Sequence, residues 1–160
     1  MTYSNRLLTV PLAVLMLAGC DQSGNDATPV ERELSALRAA TAAYANFDAA
    51  TAAGYTVRAT DHWAGMGIHY LNPDLLDDVF EHERPEILMY VEQPDGRMEF
   101  VGVEYAVPVD LEDPAPAPEG FTGDADGWTI NEQFGLWTLH AWVVLDNPDG
   151  VFAPHNPRVP

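Results

Sequence analysis

Lysine is absent from this chain of 160 residues: the seven basic side chains are all arginine, and they stand against 25 acidic ones for a formal net charge of −18. A surface this acidic repels nucleic acid and anionic lipid headgroups, and it keeps a protein hydrated. Such a balance resembles that of proteins from salt-loving or GC-rich bacteria, which accounts for it more simply than an acidic binding face. Cysteine occurs once, as Cys20, so no disulfide can form within the chain. Serine is scarce: beyond the N-terminal segment only Ser23 and Ser35 remain, one in a polar stretch and one on an expected helix, which argues against a Ser-His-Asp nucleophile. No glycine-rich phosphate loop is present. No apolar run reaches the roughly 20 residues that span a bilayer.

The first nineteen residues read as an export signal. Arg6 supplies a thin positive start, and Leu7 to Leu17 is apolar apart from Thr9, with Pro11 interrupting it. That length fits the core of a signal peptide. The run ends in Leu17-Ala18-Gly19-Cys20, which resembles the bacterial lipobox, where small residues precede a cysteine whose thiol receives a diacylglycerol. The resemblance implies a lipoprotein held on the extracytoplasmic side of a cell-envelope membrane, with the membrane as partner through the anchor. The expected organisation is a signal peptide over 1–19, a lipidated cysteine and flexible tether over 20–28, and one globular domain over 29–160. With Cys20 lipidated, the folded part has no thiolate nucleophile and no cysteine metal ligand.

Past the tether the chain announces a helix. Thr28 can cap, Pro29 suits the first helical position, and Glu31 and Glu33 lie in the positive first turn. Val30, Leu34, Leu37, Thr41 and Tyr44 recur at spacings of three and four, one face of a helix. Asn46 breaks the run, and Asp48 can cap a second short helix, Ala49 to Ala53, stopped by Gly54. Strand-like segments follow at Gly67 to Leu71, Ile87 to Glu92, Met98 to Val107 and Leu136 to Leu145. Leu75 to Phe80 reads as a helical turn, and Pro94-Asp95-Gly96 joins the second and third strands into a hairpin. Proline and acid dominate from Pro108 to Gly127, where Pro114, Pro116 and Pro118 alternate with Asp113, Ala115 and Ala117, and give a stiff exposed loop. The end, Val151 to Pro160, reads as an irregular tail anchored by Phe152. Both faces of the last strand are largely apolar, so both need cover. The expected fold is α+β: N-terminal amphipathic helices packed on a curved antiparallel sheet of about four or five strands.

Three polar residues interrupt these apolar strands: His69, Glu104 and His140. A buried carboxylate is costly unless it is paired or bound to metal. By strict alternation Glu104 shares a face with Phe100, Gly102 and Ala106, while His140 shares one with Thr138 and Trp142. Gly102 leaves room for a ligand or a neighbouring backbone. If these faces coincide, two imidazoles and one carboxylate suit zinc, iron, copper or another transition metal, and equally a His–Glu acid–base pair. A satisfied polar network in the core is the competing reading, since spacings of 35 and 36 residues carry no metal signature. Tyr70, Asn72, Tyr105 and Trp142 flank the trio and are secondary candidates. His62, His82 and His155 have no spacing in their favour. Asp124 and Asp126 are similar to the start of a calcium loop, but Glu132 is the ninth residue from Asp124 where an EF-hand needs a twelfth.

The order of motifs adds a resemblance. Gly65-Met66-Gly67-Ile68-His69-Tyr70-Leu71-Asn72-Pro73, Arg84-Pro85-Glu86-Ile87-Leu88-Met89-Tyr90, Val101-Gly102-Val103-Glu104-Tyr105, Leu139-His140-Ala141-Trp142, Asn147-Pro148-Asp149-Gly150 and Asn156-Pro157-Arg158-Val159 together resemble a family of uncharacterised secreted bacterial proteins, many of them lipoproteins. The likeness runs from about Ala43 onward. It implies that His69, Glu104 and His140 belong to one shared feature, and it brings no activity. Members of that family often carry a cysteine soon after the Gly54-Tyr55 position and another at the C-terminus. This chain has neither, which leaves its tail without a disulfide. In relatives a polar residue can stand at the position of Leu136 or Trp137.

Taken together, these features favour an envelope-anchored binding or interaction module for a small-molecule or protein ligand. A metal-dependent enzyme or metal-binding protein using His69, Glu104 and His140 is the alternative, and a purely structural envelope protein a third. The lipobox reading makes a direct prediction. Cys20→Ser abolishes incorporation of labelled fatty acid into the protein; labelling that persists in the variant contradicts it.

Overall fold

In a computed structural model of the chain, residues 27–160 are described. The expected signal peptide, Cys20 and the tether as far as residue 26 lie outside the described residues. The first helix, α1 (Pro29–Thr41), starts where the sequence places it. Thr28 accepts a hydrogen bond from the Glu31 backbone N–H, and the Glu31 carboxylate accepts one from the Thr28 N–H at 2.7 Å, a reciprocal capping box. A short 3-10 turn (Ala42–Ala45) continues it. Asn46, not Asp48, then caps α2 (Phe47–Ala52), which begins two residues earlier than expected because the Asn46 side chain takes the Asp48 N–H at 3.0 Å.

Six strands follow: β1 (Val57–Arg58), β2 (Ile68–Leu71), β3 (Ile87–Glu92), β4 (Met98–Pro108), β5 (Thr129–Asn131) and β6 (Leu136–Ala141). They form one antiparallel sheet in the order β1-β2-β3-β4-β6-β5. The α+β architecture is as expected, but the strand count is not. β1 and β5 are two and three residues long and add the two sheet edges, too short to leave a periodic trace. The expected helical turn over Leu75 to Phe80 is displaced to Pro73–Leu75, where the Asn72 side chain caps the Asp74 N–H. β6 stops at Ala141, although apolar residues run on to Leu145, because Trp142 N–H turns to the Val151 carbonyl.

Each face of the sheet has its own cover. Leu34, Leu37 and Ala50 from the helices bury against Leu88, Tyr90, Val103, Tyr105 and Leu139. Leu37 is fully buried, and burial of a leucine contributes roughly 1.5–3 kcal/mol. On the opposite face Met89, Val91, Val101 and Trp142 meet Val159 from the C-terminal tail. The tail is irregular, as expected, and Phe152 is buried against the helix-side core. Hydrogen bonds do the work that a disulfide would do. Asn156 is fully buried and its side chain donates to the Leu145 carbonyl, while its backbone N–H reaches Gly65 and Gly65 N–H reaches Val159. No helix among the described residues is long and apolar enough to cross a membrane.

Strict alternation fails once. Met89 pairs with Gly102 but Tyr90 with Phe100, so Val101 is the extra residue of a bulge. Phe100 therefore belongs to the helix-side core and not to the face of Glu104.

One buried carboxylate lies outside the trio. Glu86 is buried at the start of β3 and accepts the Ala106 N–H at 3.0 Å. Burial pushes its pKa from 4.5 to about 7, and the negative charges of Asp77 and Glu81 push the same way. The folded protein therefore holds a proton that the unfolded chain releases near pH 4.5. The stability this gives is complete below about pH 4.5 and is lost as pH rises to about 7, a loss on the order of 3 kcal/mol. Glu86→Gln keeps the acceptor and removes the charge. In urea denaturation the variant should match the wild type near pH 4 and exceed it at pH 8; a variant less stable than wild type at pH 8 contradicts this account.

Candidate functional site

The trio is assembled by strand pairing. Glu104 on β4 lies opposite Ile87 on one side and His140 on the other, and His69 on β2 lies opposite Met89. Cross-strand partners share a face, so all three polar residues stand on the face turned away from the helices. β2 and β4 are two strand spacings apart, about 9–10 Å. His69 and Glu104 thus reach toward each other above β3. Gly102 provides close approach of a different kind from the ligand space it suggested. A Cβ there would lie 2.9 Å from the Ala141 carbonyl oxygen and 2.9 Å from Met89 Cε, so the glycine admits backbone and the methionine tip.

His69, Glu104 and His140 are 3 %, 6 % and 5 % exposed. His69 Nε2 is 3.5 Å from one oxygen of Glu104 and His140 Nε2 is 3.6 Å from the other. One donor atom from each residue lies within 4.8 Å of the other two, and this is the one such His/Cys/Asp/Glu group among the described residues. Those separations are too long for good N–H···O hydrogen bonds, which run from about 2.7 to 3.2 Å. Neither Nε2 atom has a hydrogen-bond partner. Burial pushes the pKa of His140 down to about 4, with the nearby His155 adding to the effect. Burial lowers His69 as well, against the pull of Glu104, and it raises Glu104, against His69 and a hydrogen bond from Thr138. The geometry of an ion pair is present, but desolvation drives all three groups toward neutral forms.

The surroundings orient these side chains. Thr60 Oγ1 sits 2.9 Å from His69 Nδ1 and also accepts the His69 backbone N–H at 3.2 Å, which fixes the ring with Nε2 toward Glu104. Trp142 lies parallel to the His140 ring, with centroids 6.0 Å apart, and its own N–H is satisfied by the Ala153 carbonyl at 2.7 Å. Thr60 had no signal in the sequence, since it precedes β2 in an irregular stretch. A cavity of about 180 Å³ borders His69, Glu104 and Thr138 and is walled mainly by apolar side chains. His69 and Glu104 are its only titratable residues.

Of the secondary candidates only Trp142 joins the site. Tyr70 packs edge-on against Phe47 and Tyr90 on the helix side. Tyr105 lies on that same side and donates its hydroxyl to the His82 carbonyl. Asn72 is a turn residue whose amide donates to Ala53. His62 meets the Pro160 carbonyl and His82 meets Glu83, both away from the trio. Asp126 accepts the Phe121 N–H within its own loop. No protein-family model matches the chain, and comparison with curated proteins and with solved structures finds no significant match.

The partnership of Thr60 with His69 is testable through stability. Thr60→Val leaves the buried His69 Nδ1 without its partner and should destabilise the protein by about 1–3 kcal/mol in urea denaturation. An unchanged stability contradicts the role.

Proposed function

We propose that this is a metal-dependent binding module of the cell envelope, in which His69, His140 and Glu104 hold one divalent transition ion and a small ligand completes its coordination. The observation that carries the reading is the pair of partnerless Nε2 atoms aimed at a buried carboxylate at 3.5 and 3.6 Å. Ligands about 2.1 Å from a tetrahedral ion are separated by about 3.4 Å; each imidazole lies near that distance from one oxygen of Glu104, too far for a good hydrogen bond, and one donor atom from each residue lies within 4.8 Å of the others. Leaving a buried polar atom unpaired costs about 1–3 kcal/mol, and an ion would relieve that cost at both rings and at the carboxylate. Two histidines and one carboxylate suit zinc or iron(II) and leave at least one position free.

Binding is favoured over hydrolysis by what lines the cavity. A metal hydrolase needs a second acid or base near the attacking water, and here the titratable lining residues are His69 and Glu104, both assigned to the ion. The acidic surface and the lipobox agree with a soluble head tethered at a membrane.

The test is metal binding by full-length protein purified without a histidine tag. The wild type should take up one equivalent of zinc or iron(II). Glu104→Gln should weaken uptake more than about a hundredfold, and His69→Ala/His140→Ala should abolish it. Circular dichroism confirms that the variants are folded. Wild-type protein that binds no metal, or a folded double variant that binds as tightly as wild type, contradicts the proposal.

A further inference from the structure

The cavity beside the trio constrains what could complete the coordination sphere. This inference rests on the metal reading and goes beyond it. Three physical facts narrow the ligand: size, wall chemistry and charge.

The volume of about 180 Å³ is slightly larger than the roughly 150 Å³ apolar cavity that accommodates benzene. It therefore takes about seven non-hydrogen atoms, one ring and one substituent. The walls that matter are Trp63, Met66, Leu71, Ile87, Phe134 and Leu136. Two aromatic side chains and a methionine thioether make favourable contacts with a flat ring. Trp63 and Phe134 are 55 % and 47 % exposed, large apolar surfaces left uncovered near the opening. Charge is the third constraint. A dication held by one carboxylate and two neutral imidazoles carries a net charge of about +1 in a buried site, where an unbalanced charge is costly. No arginine lines the cavity, and the chain has no lysine, so the ion would be the only positive charge to meet an incoming anion, beside the neutral polar side chains Thr60, Asn131, Gln133 and Thr138.

We propose that the cavity binds a single-ring phenol, with its oxygen on the ion held by His69, Glu104 and His140 and its ring between Trp63, Met66 and Phe134. The phenolic O–H bond breaks as the metal–oxygen bond forms, and the proton leaves to the buffer. No electron is transferred. The ring supplies apolar burial and the oxyanion cancels the site's charge, so each half of the ligand answers a different feature of the cavity.

The experiment uses full-length protein loaded with cobalt(II), whose visible absorption reports its ligands. Phenol should change the cobalt bands saturably. Acetate, which offers an anionic oxygen without a ring, should need at least about tenfold higher concentration for the same change. Leu136→Trp and Ala59→Phe, which fill the cavity from opposite walls, should retain cobalt and lose the phenol response. Cobalt bands indifferent to phenol, or acetate equal to phenol, or a full phenol response in both filled variants overturns the inference while the metal site stands. Failure of the wild type to bind cobalt at all overturns the metal reading itself, and this inference with it.

Discussion

Glu104 sits in the middle of a sheet, 6 % exposed, with an imidazole at each oxygen and no basic side chain of another kind beside it. A lone carboxylate in such a place is costly to ionise, and two neutral imidazoles at 3.5 and 3.6 Å do little to offset that cost. Much of the surrounding structure makes sense as support for this one arrangement. β3 separates the strands of His69 and Glu104 and holds them at the distance their side chains can bridge. Gly102 lets β6 and Met89 pack closely beside Glu104. Thr60 and Thr138 supply hydroxyls to His69 and Glu104. Trp142 stacks on His140.

The cover of that face is built with equal economy. The helices occupy one side of the sheet only, so the site face is closed by irregular chain: the stretch before β2 and the C-terminal tail. Asn156 joins them, bonding Gly65 through its backbone and the Leu145 carbonyl through its side chain. A fully buried asparagine that satisfies several backbone groups can pin a tail without a covalent link. Glu86 is the counterpart on the same strand pair, a buried carboxylate satisfied by the Ala106 N–H and having no imidazole neighbour. The two glutamates differ in their partners: Glu86 is satisfied by a backbone N–H, whereas Glu104 faces two imidazoles.

Long periodic elements were legible in the sequence. The capping box at Thr28 and the Leu34–Leu37–Thr41 stripe define α1, and the Pro94-Asp95-Gly96 turn defines the β3–β4 hairpin. The two edge strands were not legible, because two or three residues carry no period. Alternation misplaced Phe100, since a bulge at Val101 shifts the face by one residue; the strand-interior Gly102 beside it was the one sign, and it reads equally as room for a ligand or a neighbouring backbone. The trio could be named from polar interruptions of apolar strands, but its convergence could not be derived. It depends on the order β2-β3-β4-β6, which is set by long-range pairing, and on both histidines lying on the face that the helices leave free. Tyr70 and Tyr105 are neighbours in sequence of His69 and Glu104, and for that reason they face the other way. Thr60 and the cavity walls from Trp63 and Phe134 come from loops, where no periodic signal exists.

The assignment of His69, Glu104 and His140 as ligands to one ion is a proposal that stands or falls on spectroscopy. X-ray absorption at the metal edge of the zinc- or iron-loaded protein tests it most directly. The account predicts a first shell at about 2.0–2.2 Å with the outer-shell scattering of two imidazole rings, which drops to one ring in His140→Ala. A shell of oxygen alone, or a spectrum that His140→Ala leaves unchanged, would contradict it.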